Sequence, residues 1–417
     1  MRHVIIGSGP AGVVAAETLR KADPAAEITL LCGEGEPPYA RMAIPYLLKG
    51  DIDEAGTWIR KDRDHYGRLR INLVEARART VDAAARAVDV GSGRSLPYDR
   101  LLIATGSRPS RETIPGIDLP GVCTCWTLRD ARALLASIRP GTRVVQMGAG
   151  FVGCIIMEGL LARGADLTIL VRSGYMVRRM MNPTASGLIR RWCESKGVKI
   201  LTRTQPLGLT ANGGALKVDL GEGRTLAADL YLSVVGVDPN LDFLSGSGIE
   251  IGRQGILVDA TLESSVPGVF AAGDVAESTD CLTGKRQLNA IQPNATEQGR
   301  TAALNMAGRP TRFKGSFVFN VLTTLGLAAS SFGEWQGVGG ESAEALDEPR
   351  YRYLNLQFDG DRLVGANCVG FSDHVGALRG LIEGRRRLGA WKQKLLDDPS
   401  RIMQAYVATA APACSVG

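Results

Sequence analysis

The chain of 417 residues is long enough for two to four domains at roughly 100–200 residues each. Apolar residues make up 45% and charged residues 22%, which excludes global disorder, and the net charge of +6 is too small to indicate nucleic-acid binding. Because no run approaches ~18 consecutive apolar residues, a membrane-spanning helix is excluded as well.

The first predicted elements are a strand, a glycine-rich turn, a helix and a second strand. They read Arg2–Ile6, then Gly7-Ser8-Gly9-Pro10-Ala11-Gly12, then a helix over 13–21 and a strand over 28–31. A G-x-G-x-x-G turn between a strand and a helix suits a dinucleotide pyrophosphate, because its glycines permit the tight turn, the close backbone approach and the helix packing. Since the first strand begins at residue 2 and leaves no room for a signal peptide, we expect a cytoplasmic protein.

The same order of elements recurs about 140 residues later in the chain. A strand over 143–147 leads into Gly148-Ala149-Gly150-Phe151-Val152-Gly153, followed by an apolar helix to Arg163 and a strand over 167–171. Two such units in one chain predict two dinucleotides, and FAD with a nicotinamide nucleotide is the natural pair. Pro10 and Ala11 in the first turn favour FAD for that site.

The last third of the chain has a different pattern. Alternating strands over 351–358 and 363–369 flank the turn Asp359-Gly360-Asp361, and a helical stretch follows from about Ser372. The sequence therefore predicts an α/β fold with two Rossmann-like dinucleotide-binding domains, for FAD and NAD(P), and a C-terminal α+β domain. The predicted bounds are 1–112 and 241–312 for the FAD domain, 113–240 for the NAD(P) domain and 313–417 for the C-terminal domain.

The cysteine spacing argues against metal chemistry. None of the eight cysteines forms C-x-x-C or C-x4-C, and the chain has only three histidines. We therefore predict no metal site. The one close pair, Cys123 and Cys125, is interpreted as structural rather than as a redox disulfide.

Five ordered motifs together resemble the pyridine nucleotide-disulfide oxidoreductase superfamily over nearly the whole chain. They are Gly7-x-Gly9-x-x-Gly12, Leu102-Ile103-Ala104-Thr105-Gly106-Ser107-Arg108-Pro109, Gly148-x-Gly150-x-x-Gly153, Val235-Gly236-Val237-Asp238-Pro239-Asn240 and Pro267-Gly268-Val269-Phe270-Ala271-Ala272-Gly273-Asp274. The resemblance implies hydride transfer between the nicotinamide and the flavin, so that no side chain is assigned as catalytic.

The resemblance and the residue chemistry together predict which residues contact each dinucleotide. Those for FAD are Gly7, Gly9, Pro10, Ala11, Gly12, Glu34, Arg41, Ala104, Thr105, Gly106, Gly273, Asp274, Ala295 and Thr296. Those for NAD(P) are Gly148, Gly150, Phe151, Val152, Gly153, Val171, Arg172, Arg178 and Gly236. Glu34, at the expected end of the second strand, is predicted to accept hydrogen bonds from the adenosine ribose, with Glu36 as the less favoured alternative. The segment 295–300 resembles the helix whose N-terminus faces the flavin.

One departure from the family pattern narrows the prediction. Disulfide and peroxide reductases of this superfamily carry a cysteine beside the flavin, where this chain has Met42. Because a thioether cannot form a thiolate, electrons must leave from the flavin itself. The chain thus resembles the rubredoxin, ferredoxin and nitrite reductase branch, in which Arg41 would lie near FAD. The segments Arg41-Met42-Ala43-Ile44-Pro45-Tyr46 and Gly153-Cys154-Ile155-Ile156-Met157-Glu158 resemble the flavoprotein subunit of 2-oxoacid:acceptor oxidoreductases such as phenylglyoxylate dehydrogenase. This resemblance implies an iron–sulfur partner protein or subunit.

The choice between NAD and NADP stays open. An acid at the end of the second strand of the second unit would bind the NAD ribose, but that position is Val171, followed by Arg172 and Arg178. Arginines without an acid favour the 2′-phosphate of NADP. The family resemblance favours NAD.

Two other functions remain open on sequence alone. The first is a flavoprotein similar to apoptosis-inducing factor, acting by NAD(H)-dependent binding through basic segments such as 171–191, which has five arginines and no acid. The second is a thiol-dependent disulfide or peroxide reductase that uses Cys154 or the pair Cys123 and Cys125. The C-terminal domain resembles the interface domain of relatives, which implies either a homodimer or a hetero-oligomeric complex.

Overall fold

A computed structural model describes residues 1–410 of the chain and divides them into two compact units. The first unit comprises Met1–Pro109 and Val237–Phe317. The second comprises Ser110–Gly236 and, from Val318, the remainder of the described chain. The predicted C-terminal domain therefore shares a unit with the predicted NAD(P) domain, and the three-domain division stays a prediction.

The secondary structure consists of short strands and helices in alternation. The strands are β1 Arg2–Ile6, β2 Glu27–Leu31, β3 Ile71–Val74, β4 Thr80–Asp82, β5 Ala87–Asp89, β6 Ser95–Pro97, β7 Arg100–Ile103, β8 Ser107–Pro109, β9 Val122–Cys123, β10 Arg143–Met147, β11 Asp166–Val171, β12 Lys199–Thr202, β13 Gly208–Asn212, β14 Ala215–Asp219, β15 Thr225–Ala228, β16 Leu230–Ser233, β17 Val237–Pro239, β18 Ile256–Leu257, β19 Val269–Ala271, β20 Ala276–Thr279, β21 Arg286–Leu288, β22 Phe319–Thr324, β23 Leu327–Gly333, β24 Ser342–Asp347, β25 Arg352–Asp359 and β26 Arg362–Val369. The α-helices are α1 Pro10–Ala22, α2 Ile44–Lys49, α3 His65–Arg68, α4 Leu128–Ser137, α5 Phe151–Ala162, α6 Pro183–Ser195, α7 Gln292–Met306, α8 Val375–Glu383, α9 Ala390–Asp397 and α10 Ile402–Ala410, with 3-10 turns at Arg41–Ala43, Glu54–Thr57 and Asp242–Leu244.

The core of the first unit is a parallel five-stranded sheet in the order β19-β7-β1-β2-β3. After one exposed residue, β1 and β2 each have four consecutive buried residues, as expected for strands covered on both faces. Helices α1 and α7 approach so closely that a Cβ at Gly299 would lie 2.3 Å from the Ala11 carbonyl oxygen. Because the strands are parallel, the segments that follow β1, β2, β7 and β19 all emerge at one edge of the sheet.

The second unit repeats this arrangement. Its parallel sheet has the order β12-β11-β10-β16-β9, so β10 of the second glycine motif again lies inside the sheet. The C-terminal part adds an antiparallel sheet in the order β22-β23-β26-β25-β24. Within this unit the Asn182 side-chain amide donates to the Tyr353 hydroxyl at 2.9 Å, and the Asn367 amide donates to the Met180 carbonyl at 2.9 Å.

The two Rossmann-like units and the C-terminal strand pair were predicted, and the structure confirms the fold class. Helix boundaries differ more than strand boundaries. Helix α8 begins at Val375 rather than near Ser372. Within the described residues, no helix is long and apolar enough to cross a membrane.

Candidate dinucleotide-binding sites

The first glycine loop has the shape that a pyrophosphate requires. Gly7 has a φ of +112°, and a Cβ there would lie 2.2 Å from the Ala104 carbonyl oxygen. A Cβ at Gly12 would lie 1.9 Å from the Gly7 carbonyl oxygen, whereas the space beside Gly9 is open for 4 Å. Helix α1 begins at Pro10 without a side-chain cap. The loop therefore leaves an uncapped helix N-terminus beside open space, which fits the FAD pyrophosphate.

Glu34 and Arg41, two of the predicted FAD residues, form an ion pair. The Tyr39 hydroxyl donates to Oε2 of Glu34 at 2.5 Å, and Nη1 of Arg41 donates to the Tyr39 oxygen at 2.9 Å. Glu34 lies three residues beyond β2 rather than at its end. Its carboxylate is therefore held at the carboxyl edge of the sheet by Arg41 and Tyr39, where a ribose diol would approach.

Asp274 is a half-buried carboxylate on the same edge, three residues after β19. The Ser107 hydroxyl donates to Oδ2 of Asp274 at 2.9 Å. Burial raises the pKa of Asp274, while the Ser107 hydrogen bond and the charge of Arg41 act to lower it. Arg41 therefore acts electrostatically on both predicted FAD carboxylates. Ser107 was not among the predicted contacts, because a serine in a Thr-Gly-Ser segment has no distinctive spacing signal.

Three other FAD candidates, Gly273, Ala11 and Ala295, lie close together. A Cβ at Gly273 would lie 3.4 Å from Cβ of Ala11 and 3.5 Å from Cβ of Ala295, so these three small residues meet. The Gln298 side-chain oxygen accepts a hydrogen bond from the Gly273 nitrogen at 2.7 Å. Sequence reasoning missed Gln298, whose contact is visible only once α7 lies against β19.

Hydrogen bonds tie the predicted FAD residue Thr105 to Asn240. Thr105 and Asn240 are joined twice, since the Thr105 hydroxyl donates to the Asn240 carbonyl and the Asn240 amide donates to the Thr105 carbonyl, both at 3.0 Å. The adjoining Gly106 carbonyl accepts from the Asn240 nitrogen at 2.9 Å.

Helix α7 begins at Gln292, so Ala295 and Thr296 lie in and just beyond its first turn rather than at its start.

The second glycine loop repeats the geometry of the first. Gly148 has a φ of +108°, and a Cβ there would lie 2.4 Å from the Val234 carbonyl oxygen. A Cβ at Gly153 would lie 2.5 Å from the Gly148 carbonyl oxygen, and the space beside Gly150 is open. Phe151 and Val152 open α5, again without a side-chain cap. This loop fits the pyrophosphate of NAD(P) for the same reasons. Gly236, also predicted here, has a φ of +137°, and its carbonyl accepts from the Ser110 nitrogen at 2.9 Å.

The end of β11 carries arginines and no acid. Val171 is buried and Arg172 is exposed. Thr202, the last residue of β12, pairs with Val171, and Arg203 follows it directly. Nε of Arg203 lies 3.7 Å from a Cβ built on Gly174, in the segment that follows β11. Sequence reasoning missed Arg203, because only strand pairing brings it beside the β11 end.

Arg178 lines a cavity of about 530 Å³ in the same unit. Tyr175, Asn182, Glu344 and Tyr353 are among the other residues that line it.

Six of the described thiols do not have the surroundings of redox-active cysteines. Burial raises the pKa of Cys154 well above its ordinary value and that of Cys123 to about 12. Burial also raises the thiol pKa of Cys32, Cys125, Cys193 and Cys368. The seven cysteines within residues 1–410 are free, and Cys414 lies outside the described residues. In the same part of the chain, no three His, Cys, Asp or Glu side chains are grouped to hold a metal ion.

Comparison with known proteins defines the class. The family described as pyridine nucleotide-disulphide oxidoreductase matches residues 1–299, and the chain belongs to this family. It is an FAD-dependent NAD(P)H:acceptor oxidoreductase, as the motifs predicted.

Among individual proteins, the chain is 32% identical over 403 residues to the epsilon subunit of NADH-dependent phenylglyoxylate dehydrogenase from Aromatoleum evansii, with 95% of each chain covered. It is 32% identical over 313 residues to a probable ferredoxin reductase from Castellaniella defragrans, covering 74% of this chain and 76% of that one. The crystal structure of a ferredoxin reductase from Rhodopseudomonas palustris is similar with a TM-score of 0.89. It covers 97% of this chain and 99% of that chain, and at 23% identity it shows the shared fold alone.

Proposed function

We propose that the chain carries electrons between a nicotinamide nucleotide and an iron–sulfur protein. The observation that carries the proposal is Met42. Met42 follows Arg41 in a 3-10 turn, and Arg41 pairs with Glu34 and acts electrostatically on Asp274. The turn thus belongs to the candidate FAD site, and the residue presented there is a thioether rather than a thiol.

Met42 restricts how electrons leave the site. When bound at this site, FAD would supply both hydride exchange and one-electron transfer, which suits an iron–sulfur acceptor. Electron transfer through a thiol would need a thiolate, and the Met42 thioether cannot form one. Burial raises the pKa of Cys154, the thiol at the start of α5 that the sequence offered as an alternative. The ferredoxin reductase from Castellaniella defragrans is named for an acceptor of this kind.

We further propose that the chain works as the nucleotide-reacting subunit of a 2-oxoacid dehydrogenase complex. The support is the end-to-end match to the phenylglyoxylate dehydrogenase subunit, which covers 95% of both chains. In such an assembly the organic substrate is oxidised on another subunit. This chain would then need only its two dinucleotide sites and a surface for the electron-transfer partner.

For the nucleotide, we propose that both NADH and NADPH serve. Val171 offers no carboxylate that would bind the 2′-hydroxyl of NADH or repel the 2′-phosphate of NADPH. Arg172 and Arg203 lie at the ends of the paired strands β11 and β12, where guanidinium groups can hold a phosphate. The match to an NADH-dependent subunit supports the use of NADH.

The experiment that tests the proposal measures cytochrome c reduction by NADH through an added ferredoxin. We expect turnover with the FAD-loaded chain that depends on both the ferredoxin and the nucleotide. With oxidised glutathione or another disulfide in place of ferredoxin, we expect no turnover above background. Disulfide reduction without ferredoxin reduction would overturn the proposal.

A further inference from the structure

Gln146 is a fully buried polar residue directly beneath the second glycine loop. It lies on β10, two residues before Gly148, and its side chain is 0% exposed. Its amide nitrogen donates to the Gly148 carbonyl at 2.9 Å and to the Gly153 carbonyl at 3.2 Å. Because both partners are carbonyl oxygens, the group that faces them must be the NH2. One side chain therefore joins the first and the last glycine of the motif.

The first glycine loop provides an internal comparison. Ile5 occupies the same place there, two residues before Gly7, and is also 0% exposed. Its Cγ2 lies 3.3 Å from a Cβ built on Gly12, as Nε2 of Gln146 lies 2.9 Å from a Cβ built on Gly153. The two loops thus share one backbone design. The first is supported by an apolar contact and the second by hydrogen bonds to its own carbonyls.

We infer that Gln146 is a positioning residue that keeps the second loop in its binding shape while no nucleotide is present. An FAD that stays bound would itself support the loop that holds it. NAD(P)H must leave after each turnover, so its loop has to keep its shape alone. A loop ordered in advance avoids part of the ordering cost of each binding event. This inference rests on the proposed role of 148–153 as the NAD(P) site.

The other end of the Gln146 side chain reduces what this residue contributes to stability. Its Oε1 is buried and has no hydrogen-bond partner among the described residues. An unpaired buried acceptor costs free energy, and an apolar residue of similar shape would avoid that cost. The same replacement would also remove the two donated hydrogen bonds, so the gain and the loss in stability oppose each other. The hydrogen bonds to the loop are the property that an apolar residue lacks.

The test is Gln146→Met, which keeps the length of the side chain and removes both donors. NADP+ and NAD+ binding to the FAD-loaded protein is measured by calorimetric titration, and turnover by steady-state kinetics. We expect the Kd of both nucleotides to rise about tenfold. The kcat at saturating nucleotide, the FAD content and the unfolding temperature should stay close to those of the unaltered chain. Ile169→Val is the matched control, since Ile169 pairs with Gln146 on β11 and is equally buried.

The outcomes separate the inference from the proposed function. If the unaltered chain itself binds neither nucleotide, the proposed site fails. If the unaltered chain binds normally and Gln146→Met binds within twofold of it, the positioning role is wrong. A fall in kcat and unfolding temperature without a change in Kd would mark Gln146 as structural only. A second variant, Gln146→Leu, applies the same test should methionine not pack.

Discussion

The Ser107 hydroxyl donates a 2.9 Å hydrogen bond to Asp274 across 167 positions of sequence. This contact joins the segments that follow β7 and β19, two neighbouring strands of the first sheet. Burial raises the pKa of the Asp274 carboxyl group, and Ser107 and Arg41 act in the opposite direction. The half-buried carboxylate thus has a hydroxyl donor and a nearby cation, as suits an acceptor for a ligand hydroxyl.

Asp274→Asn is predicted to weaken FAD binding by tenfold or more, since a hydrogen bond to a charged group contributes about 1.5–3 kcal/mol. FAD retention is measured by flavin fluorescence after serial dilution of the purified protein. Ser107→Ala should have a smaller effect, because the carboxylate itself is retained. Equal FAD retention in Asp274→Asn and the unaltered chain would remove Asp274 from the site.

Glu34→Gln is predicted to weaken FAD binding about tenfold, because it removes the charge paired with Arg41 and weakens the acceptor offered to the adenosine ribose. Glu36→Gln is the matched control, two positions away in the same loop. Apoprotein titrated with FAD gives both affinities. An effect confined to Glu36→Gln would show that the ribose acceptor had been assigned to the wrong glutamate.

Val171→Glu is predicted to lower kcat/KM for NADPH at least tenfold more than that for NADH, because the new carboxylate repels the 2′-phosphate and can bind the 2′-hydroxyl. Arg172→Ala should shift the same ratio in the same direction by a smaller factor. Steady-state rates with each nucleotide provide the ratio. An unchanged ratio in both variants would place the adenosine ribose away from the β11 end.

Cys154→Ala is predicted to leave NADH-dependent ferredoxin reduction within twofold of the unaltered rate. The thiol is fully buried, and burial raises its pKa well above the ordinary value, so it is neutral at pH 7. Treatment of the folded protein with iodoacetamide should likewise leave the rate unchanged. Loss of turnover in Cys154→Ala with FAD content intact would restore the thiol-dependent mechanism.

His3 is predicted to make the protein less stable in mild acid. It is 1% exposed on β1, and burial lowers its pKa to about 4. Between pH 6.5 and 4 the unfolded chain therefore binds a proton that the folded chain does not, and stability falls as the pH falls. Urea unfolding at pH 7 and pH 4.5 should show a loss about 2 kcal/mol larger in the unaltered chain than in His3→Phe. Equal losses would show that His3 is protonated in the folded state.

The sequence predicted the fold class because glycine motifs are local. Gly7 and Gly148 are recognisable within six residues, and each demands a strand before it and a helix after it. Strand pairing across the chain is not local, and for this reason Ser107, Arg203 and Gln298 were missed. Serine, arginine and glutamine are common residues, and none of these three lies at a spacing that marks a binding motif. Gln146 was predicted only as part of a strand, because the sequence does not show that its side chain is buried and donates hydrogen bonds to the glycine loop that follows.

The central claim is hydride exchange between a nicotinamide nucleotide and a flavin held by this chain. The most direct measurement is an anaerobic titration of the purified, FAD-loaded protein with NADH and, separately, with NADPH, following the absorption of oxidised flavin. We predict fast bleaching by both nucleotides at near-stoichiometric amounts. A flavin that neither nucleotide bleaches would contradict the account.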